Sequence, residues 1–239
     1  QPYVDRDMSQ EEVDDYNDFQ WEGLMMRGVR VGMPKYINVM TVTINKDMFD
    51  EYGVDYPPED GDWDHDDYAN TARELTEAAR SAGEDAVWGG WIPNWAWDRF
   101  WYRIDMFGGS VSNEKYGKTC LLGADEAQEA LQWMYDMEWT NNWFAQPAQV
   151  EDKWFRAAMN SKFVCMAESG TYPINTDRDF EGNVDNWDMR HVPVGPAGVR
   201  KVLGTTDAWS ITKQSKHPEE SWTLLHFLAG PVFQERCVI

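Results

Sequence analysis

Residues 32–53 read GMPKYINVMTVTINKDMFDEYG. β-Branched residues fall at Ile37, Val39, Thr41, Val42, Thr43 and Ile44. That composition suits a pleated, largely buried strand, here ending near Asn45. Val29 and Val31 stand upstream, so a first strand, a turn over Gly32 to Pro34 and a second strand are expected. KDMFDEYG then predicts a short helix, with Gly53 at the C′ position, where a left-handed residue ends a helix. A strand running straight into a helix sets the pattern for the whole chain.

Outward from this stretch the alternation continues. Upstream, Ser9 followed by Glu12 makes a capping-box pattern ahead of a weakly amphipathic helix over 8–22. Downstream, Tyr68, Thr71, Ala72, Leu75 and Ala79 sit at helical spacing, predicting a helix from Trp63 to about Ala82 that Gly83 ends. A short strand is expected over Ala86 to Gly89, then helices over Trp95 to Phe107 and over 124–141. A helix over 153–162 precedes a hydrophobic strand, FVCMAES, at 163–169 and a Gly-Thr-Tyr-Pro turn. A strand running into a Pro/Gly turn is predicted over 189–198, a strand at 203–212, and a helix at 217–230 with Pro218 in its first turn. Strands alternating with helices make this an α/β chain.

Composition excludes some partners. The net charge is −21, from 42 acidic residues against 21 Lys and Arg, and no basic stripe exists to neutralise phosphates. Nucleic acid and anionic membrane surfaces are therefore not expected partners. No apolar stretch approaches the ~20 residues of a membrane span. Cys120, Cys165 and Cys237 are far apart, without a Cys-x-x-Cys pair, and are read as isolated buried thiols. Gln1 and the apolar ending GPVFQERCVI read as the ends of a fragment or of a product trimmed at both ends.

Few residue groupings carry catalytic chemistry. Asp60, Asp62 and Asp64 begin like a calcium-binding loop, but His65 stands where Gly is needed and Thr71 where Glu is needed, so helix capping is the expected role. His65, His191, His217 and His226 show no metal-ligand spacing and are read as surface or helix-end residues. No Gly-x-Ser-x-Gly elbow and no phosphate-binding loop occurs. No metal, cofactor or catalytic residue is expected. A paired-carboxylate glycosidase stays as an alternative, because two acids can meet in space from any separation in sequence.

The aromatic residues are the informative feature. Residues 88–101 read WGGWIPNWAWDRFW. Trp97, Phe100, Trp101 and Ile104 form one helical stripe and are read as core, with Trp88 as the end of a buried strand. Trp133, Tyr135, Trp139 and Trp143 are likewise read as packing residues. Trp91, Asn94 and Trp95 lie among Gly and Pro in a strand-to-helix loop. Such loops line the ligand crevice of α/β sheets, and an indole beside an Asn offers a stacking face together with hydroxyl partners.

The order of segments resembles the sugar-binding family of extracellular solute-binding proteins of ATP-binding-cassette importers, typified by maltose-binding protein. The stretch carrying it is GMPKYINVMTVTINKDMFDEYGVDYPPEDGDWD: a Gly-x-Pro strand, an Asn45-Lys46-Asp47 turn, a short helix, Gly-Val with Pro-Pro, then Trp63-Asp64. Phe107-Gly108-Gly109, the 124–139 helix, Ala158 to Tyr172 and Gly204 to Lys216 follow in the family's order.

The resemblance implies a bilobal, type II periplasmic-binding-protein-like α/β fold with an incomplete N-terminal lobe. The implied parts are 1–37 of the N-terminal lobe, a hinge crossing at 38–41, the C-terminal lobe at 42–203, a second crossing at 204–206, and 207–239 of the N-terminal lobe. It implies ligand contacts at Tyr36, Asn38, Trp91, Asn94, Trp95, Gly170, Tyr172, Asp207 and Trp209. It further implies a periplasmic or extracellular monomer, with a lipid anchor as one mode of attachment. That monomer would bind a carbohydrate in an interlobe cleft by hinge closure and hand it to permease subunits of an ABC importer. Few basic residues surround these positions in sequence, so a neutral oligosaccharide or polyol is expected before an anionic sugar. A cationic ligand such as a polyamine is the other alternative.

Overall fold

The structure, a computed structural model, describes residues 1–93, 97–114, 117–150, 162–171 and 186–237, with the backbone alone at 97–99 and 237. The predicted helix over 153–162 therefore lies outside the described residues, except for Lys162. The chain divides into two compact units, Gln1–Val39 with Gly204–Ile239, and Met40–Leu203.

The opening stretch forms β3, Met33–Asn45, after the two-residue strands β1, Met25–Met26, and β2, Val29–Arg30. Its first half belongs to the first unit and its second half to the second. Helix α4, Lys46–Tyr52, follows directly, and Gly53 caps it at φ 66°, ψ 35°. That left-handed geometry costs a glycine little and an L-residue more.

In the second unit β3 is the middle strand. It pairs antiparallel with β4, Met166–Gly170, through Met40↔Gly170 to Ile44↔Met166, and with β5, Trp187–Arg190, through Val42↔Arg190 to Asn45↔Trp187. Residues 88–91 extend the sheet beyond β4: Trp88 N donates to Phe163 O, Cys165 N to Trp88 O and Glu168 N to Trp91 O, all at 3.0–3.1 Å. Helix α5, His65–Ser81, covers this sheet. Its cap is Asp64, whose carboxylate accepts from Asp66 N at 2.9 Å and Asp67 N at 3.0 Å, while Asp67 returns the bond to Asp64 N. The acidic loop thus serves helix capping, and no group of three or more acids, His or Cys placed to hold a metal occurs among the described residues.

Tyr68, Ala72, Leu75 and Ala79 on one face of α5 meet Val42, Ile44, Met48, Phe49, Ile92 and Phe144 in the main core. Helix and sheet approach so closely that a Cβ on Gly89 would lie 1.9 Å from Ala72 O, so no side chain fits there. Helices α6, Trp97–Met106, and α7, Asp125–Tyr135, pack together around Ile104, Ala127 and Ala130. A π-helical turn, Asp136–Thr140, ends α7.

Several packing expectations are corrected here. Trp101 is 39% exposed, and Tyr135 and Trp139 are exposed and stacked on each other with centroids 6.4 Å apart. Of the expected stripe, Ile104 is buried against α7 and Phe100 packs on the same cluster, while Tyr102 and Met106 of α6 pack with Met40. Cys165 is buried, but Cys120 is exposed. His65 does stand at a helix end, the first turn of α5, but it is buried there.

The first unit is built on the other half of β3. There β3 pairs with β6, Gly204–Trp209. Helix α3, Asp18–Gly23, covers one face near Gly204, against which the Phe19 ring packs. Helices α1, Pro2–Asp7, and α8, Pro218–Ala229, contribute Val4, Trp222, Leu225 and Ala229 to a second core around Met33. Ser9 caps helix α2, Gln10–Asp14, in a capping box, but Asn17 starts α3 anew, so the expected 8–22 helix is two short ones. No helix among the described residues is long and apolar enough to cross a membrane.

Candidate functional site

The register of β3 against β6 gathers four of the sequence-predicted residues. The partners are Met33↔Trp209, Pro34↔Ala208, Tyr36↔Asp207, Ile37↔Thr206, Asn38↔Thr205 and Val39↔Gly204. Opposed residues in an antiparallel ladder share a face, and faces alternate along a strand. Tyr36, Asn38, Asp207 and Trp209 therefore lie on one face of the ladder. Ile37, Thr206, Val39 and Gly204 lie on the other, where α3 packs.

The face depends on a bulge. Lys35 has no partner between Pro34 and Tyr36, which makes it the extra residue. Without it Tyr36 would point away from Met33 and Trp209; with it all three share a side. The Tyr36 hydroxyl donates to Asp207 Oδ2 at 2.6 Å, and Tyr36 is 45% exposed. That hydrogen bond to the carboxylate, with some desolvation, raises the phenol above its usual pKa. Lys35 Nζ stands 4.9 Å from the Trp209 ring centroid and 5.2 Å from that of Tyr36.

Trp209 is half-buried, packs against the second core, and its Nε1 has no acceptor among the described residues. It also forms part of the wall of a pocket of about 360 Å³, together with Tyr3, Arg30, Met33, Lys213 and Trp222. The arrangement combines aromatic surface, a carboxylate, an amide and an ammonium. Flat apolar faces with hydroxyl edges are what such a set takes.

The second unit treats its predicted residues differently. Trp91 is 3% exposed and packs with Trp88, Ala145, Val150, Val164 and Ala167. Its ring belongs to the core, which corrects the expectation of an open stacking surface. Residues 88–91 are held on both sides, by 163–168 and by Trp143 to Ala145, and so do not form a loop. Trp88 is buried as expected, its Nε1 donating to Asn142 Oδ1 at 3.0 Å. Gly170 is buried at the end of β4 and pairs with Met40. Asn94, Trp95 and Tyr172 lie outside the described residues.

Sequence reasoning missed a buried charged network beside β4. Glu168 and Arg103 are wholly buried. Glu168 accepts from Arg103 Nη2 on one oxygen and from the Tyr102 hydroxyl on the other. Arg103 Nη1 reaches His65 Nε2 at 2.5 Å, while His65 Nδ1 pairs with Val194 O at 3.1 Å. The Arg103 guanidinium also lies 4.8 Å from the Trp133 centroid. Burial first, and Arg103 second, lower the His65 pKa to about 3. A neutral imidazole with Nδ1–H donating to the carbonyl fits both neighbours. The network ties α5, α6 and β4 together; it is a structural brace, and a Glu inside the apolar run FVCMAES was its only trace in sequence. Lys35 was missed because a bulge is set by the partner strand.

The model of the bacterial extracellular solute-binding protein family matches residues 1–235. A Listeria monocytogenes ABC substrate-binding protein, solved in complex with cycloalternan, superposes with a TM-score of 0.82 at 21% identity. The match covers 96% of this chain and 55% of that one. An ABC transporter solute-binding protein from Thermotoga lettingae, bound with α-D-tagatose, gives 0.80 at 18% identity, covering 100% and 59%. A Brucella abortus relative is 24% identical over 210 residues, 85% of this chain and 47% of that protein. The chain thus spans about half the length of the proteins it matches, with the type II binding-protein fold.

Proposed function

Since the chain belongs to the bacterial extracellular solute-binding protein family, we propose that it is part of the carbohydrate-binding component of an ABC importer. The observation that carries this reading is the shared face of Tyr36, Asn38, Asp207 and Trp209. Trp209 and Tyr36 supply stacking surface for a sugar ring, and Asn38 and Asp207 supply partners for its hydroxyls. An oligosaccharide or a polyol suits this set. The ligand is captured by closure of two lobes, whose closed state it stabilises through its greater affinity for that state.

The protein works outside the cytoplasm, in the periplasm or at the cell surface, with or without a lipid anchor, as a monomer that delivers ligand to membrane permease subunits. It binds without turning its ligand over. Family membership and two matched structures that carry saccharides support the carbohydrate class. A thermal-shift screen of the full-length protein against mono- and oligosaccharides, polyols and polyamines tests the reading. A saccharide or polyol raises the melting temperature by mass action; a shift with polyamines alone would overturn it.

A further inference from the structure

The bulge places the Lys35 cation on the face of Tyr36 and Trp209. Its ammonium touches the two aromatic faces and has no carboxylate partner among the described residues. That is unusual in a chain with twice as many acids as bases. Asp207, an acid on this face, is instead engaged by the Tyr36 hydroxyl. A second observation points the same way. The pocket walled by Trp209 includes Arg30 and Lys213, and no Asp or Glu is among its described lining residues. Among the described residues the Trp209 indole N–H likewise lacks an acceptor. Trp209 therefore stands between Lys35 on one side and, in the pocket wall, Lys213 and an Arg30 whose Nη1 donates to Trp21 O.

Resting on the carbohydrate reading, we propose that Lys35 is a specificity-determining residue that selects a saccharide bearing an acidic substituent, a carboxylate such as that of a uronic acid, over its neutral and amino-sugar counterparts. An ammonium lying on the ring faces excludes a second cation from them, which disfavours polyamines and amino sugars. A neutral sugar must displace the ammonium from the rings and gives it nothing in return. A uronate offers it a charge-assisted hydrogen bond as it moves aside.

The test uses the full-length protein and three matched trisaccharides, of galacturonic acid, galactose and glucosamine, with binding read by calorimetry for wild type, Lys35→Gln and Lys35→Glu. Wild type is expected to bind the uronate trimer most tightly and the glucosamine trimer least. Lys35→Gln is expected to lose about tenfold affinity for the uronate trimer, the size of one charge-assisted bond, with neutral-trimer affinity unchanged or improved. Lys35→Glu is expected to reverse the order. Neutral binding at least as tight as uronate binding in wild type, or an equal loss for all three in Lys35→Gln, overturns the role of Lys35 and leaves carbohydrate binding standing. Binding of none of the three by wild type overturns this proposal, and the thermal-shift screen then decides separately on carbohydrate binding.

Discussion

The two halves of β3 are one strand with one kind of composition, yet they do different work. Over residues 40–45 the strand has β4 on one side and β5 on the other, and Val42, Thr43 and Ile44 are at most 1% exposed. Over residues 33–39 it pairs with β6, and Tyr36 and Ile37 are 45% and 43% exposed. What separates a core segment from an open one here is how many neighbours cover it. The same contrast divides the aromatic residues, since Trp91 is enclosed between two segments while Trp209 walls a pocket.

Substitutions can break this contrast from either side. Arg103→Met should do the most damage, because it leaves the Glu168 carboxylate buried and uncompensated; about 3–5 kcal/mol of stability is expected to go, read by denaturant unfolding. Trp91→Ala should cost a similar ~3–5 kcal/mol through the cavity it leaves in the core. If Trp91→Ala instead kept its stability and lost saccharide binding, the ring would have to be counted as site rather than core.

Acid should find the brace before it finds the site. The unfolded chain's imidazole titrates near 6.5, whereas in the fold His65 stays neutral down to about pH 3. The unfolded state therefore takes up the proton first. The stability contributed by neutral His65 is whole above about pH 6.5 and is lost as pH falls toward 3, at up to about 1.4 kcal/mol per unit. Unfolding free energies measured across that window should show this slope in wild type and a shallower one in His65→Gln. The smallest effect is expected at the open end: Tyr36→Phe removes one exposed hydrogen bond to Asp207. It should change stability by less than about 0.5 kcal/mol, while lowering ligand affinity by about 0.5–1.5 kcal/mol in calorimetry.

Local chemistry was legible in the sequence wherever one residue type had one physical job. Gly53 ends α4, Ser9 and Glu12 form their box, and Pro218 opens α8, because caps depend on residues close in the chain. The α/β order and the family resemblance came from the same kind of signal, repeated along the chain. Tyr36, Asn38, Asp207 and Trp209 share one face of the ladder, although 171 residues separate Tyr36 from Asp207. Trp91 was misread because a Gly-rich, Trp-rich stretch resembles a loop until its two flanking segments are known. Glu168 and Arg103 meet across 65 residues, and no spacing rule reaches that far. Lys35 faces the site only because β6 pairs out of step with β3 at that point.

If ligand recognition lies on the open half of β3 and its partner strand, one dissociation constant is the sharpest test. A saccharide or polyol found by thermal shift should be titrated into full-length wild type and Trp209→Ala, with circular dichroism confirming that both are folded. Loss of the stacking surface should weaken binding by about tenfold or more, in line with what one well-placed aromatic contributes at a binding site. Equal dissociation constants in two folded proteins would contradict the account and move the site elsewhere.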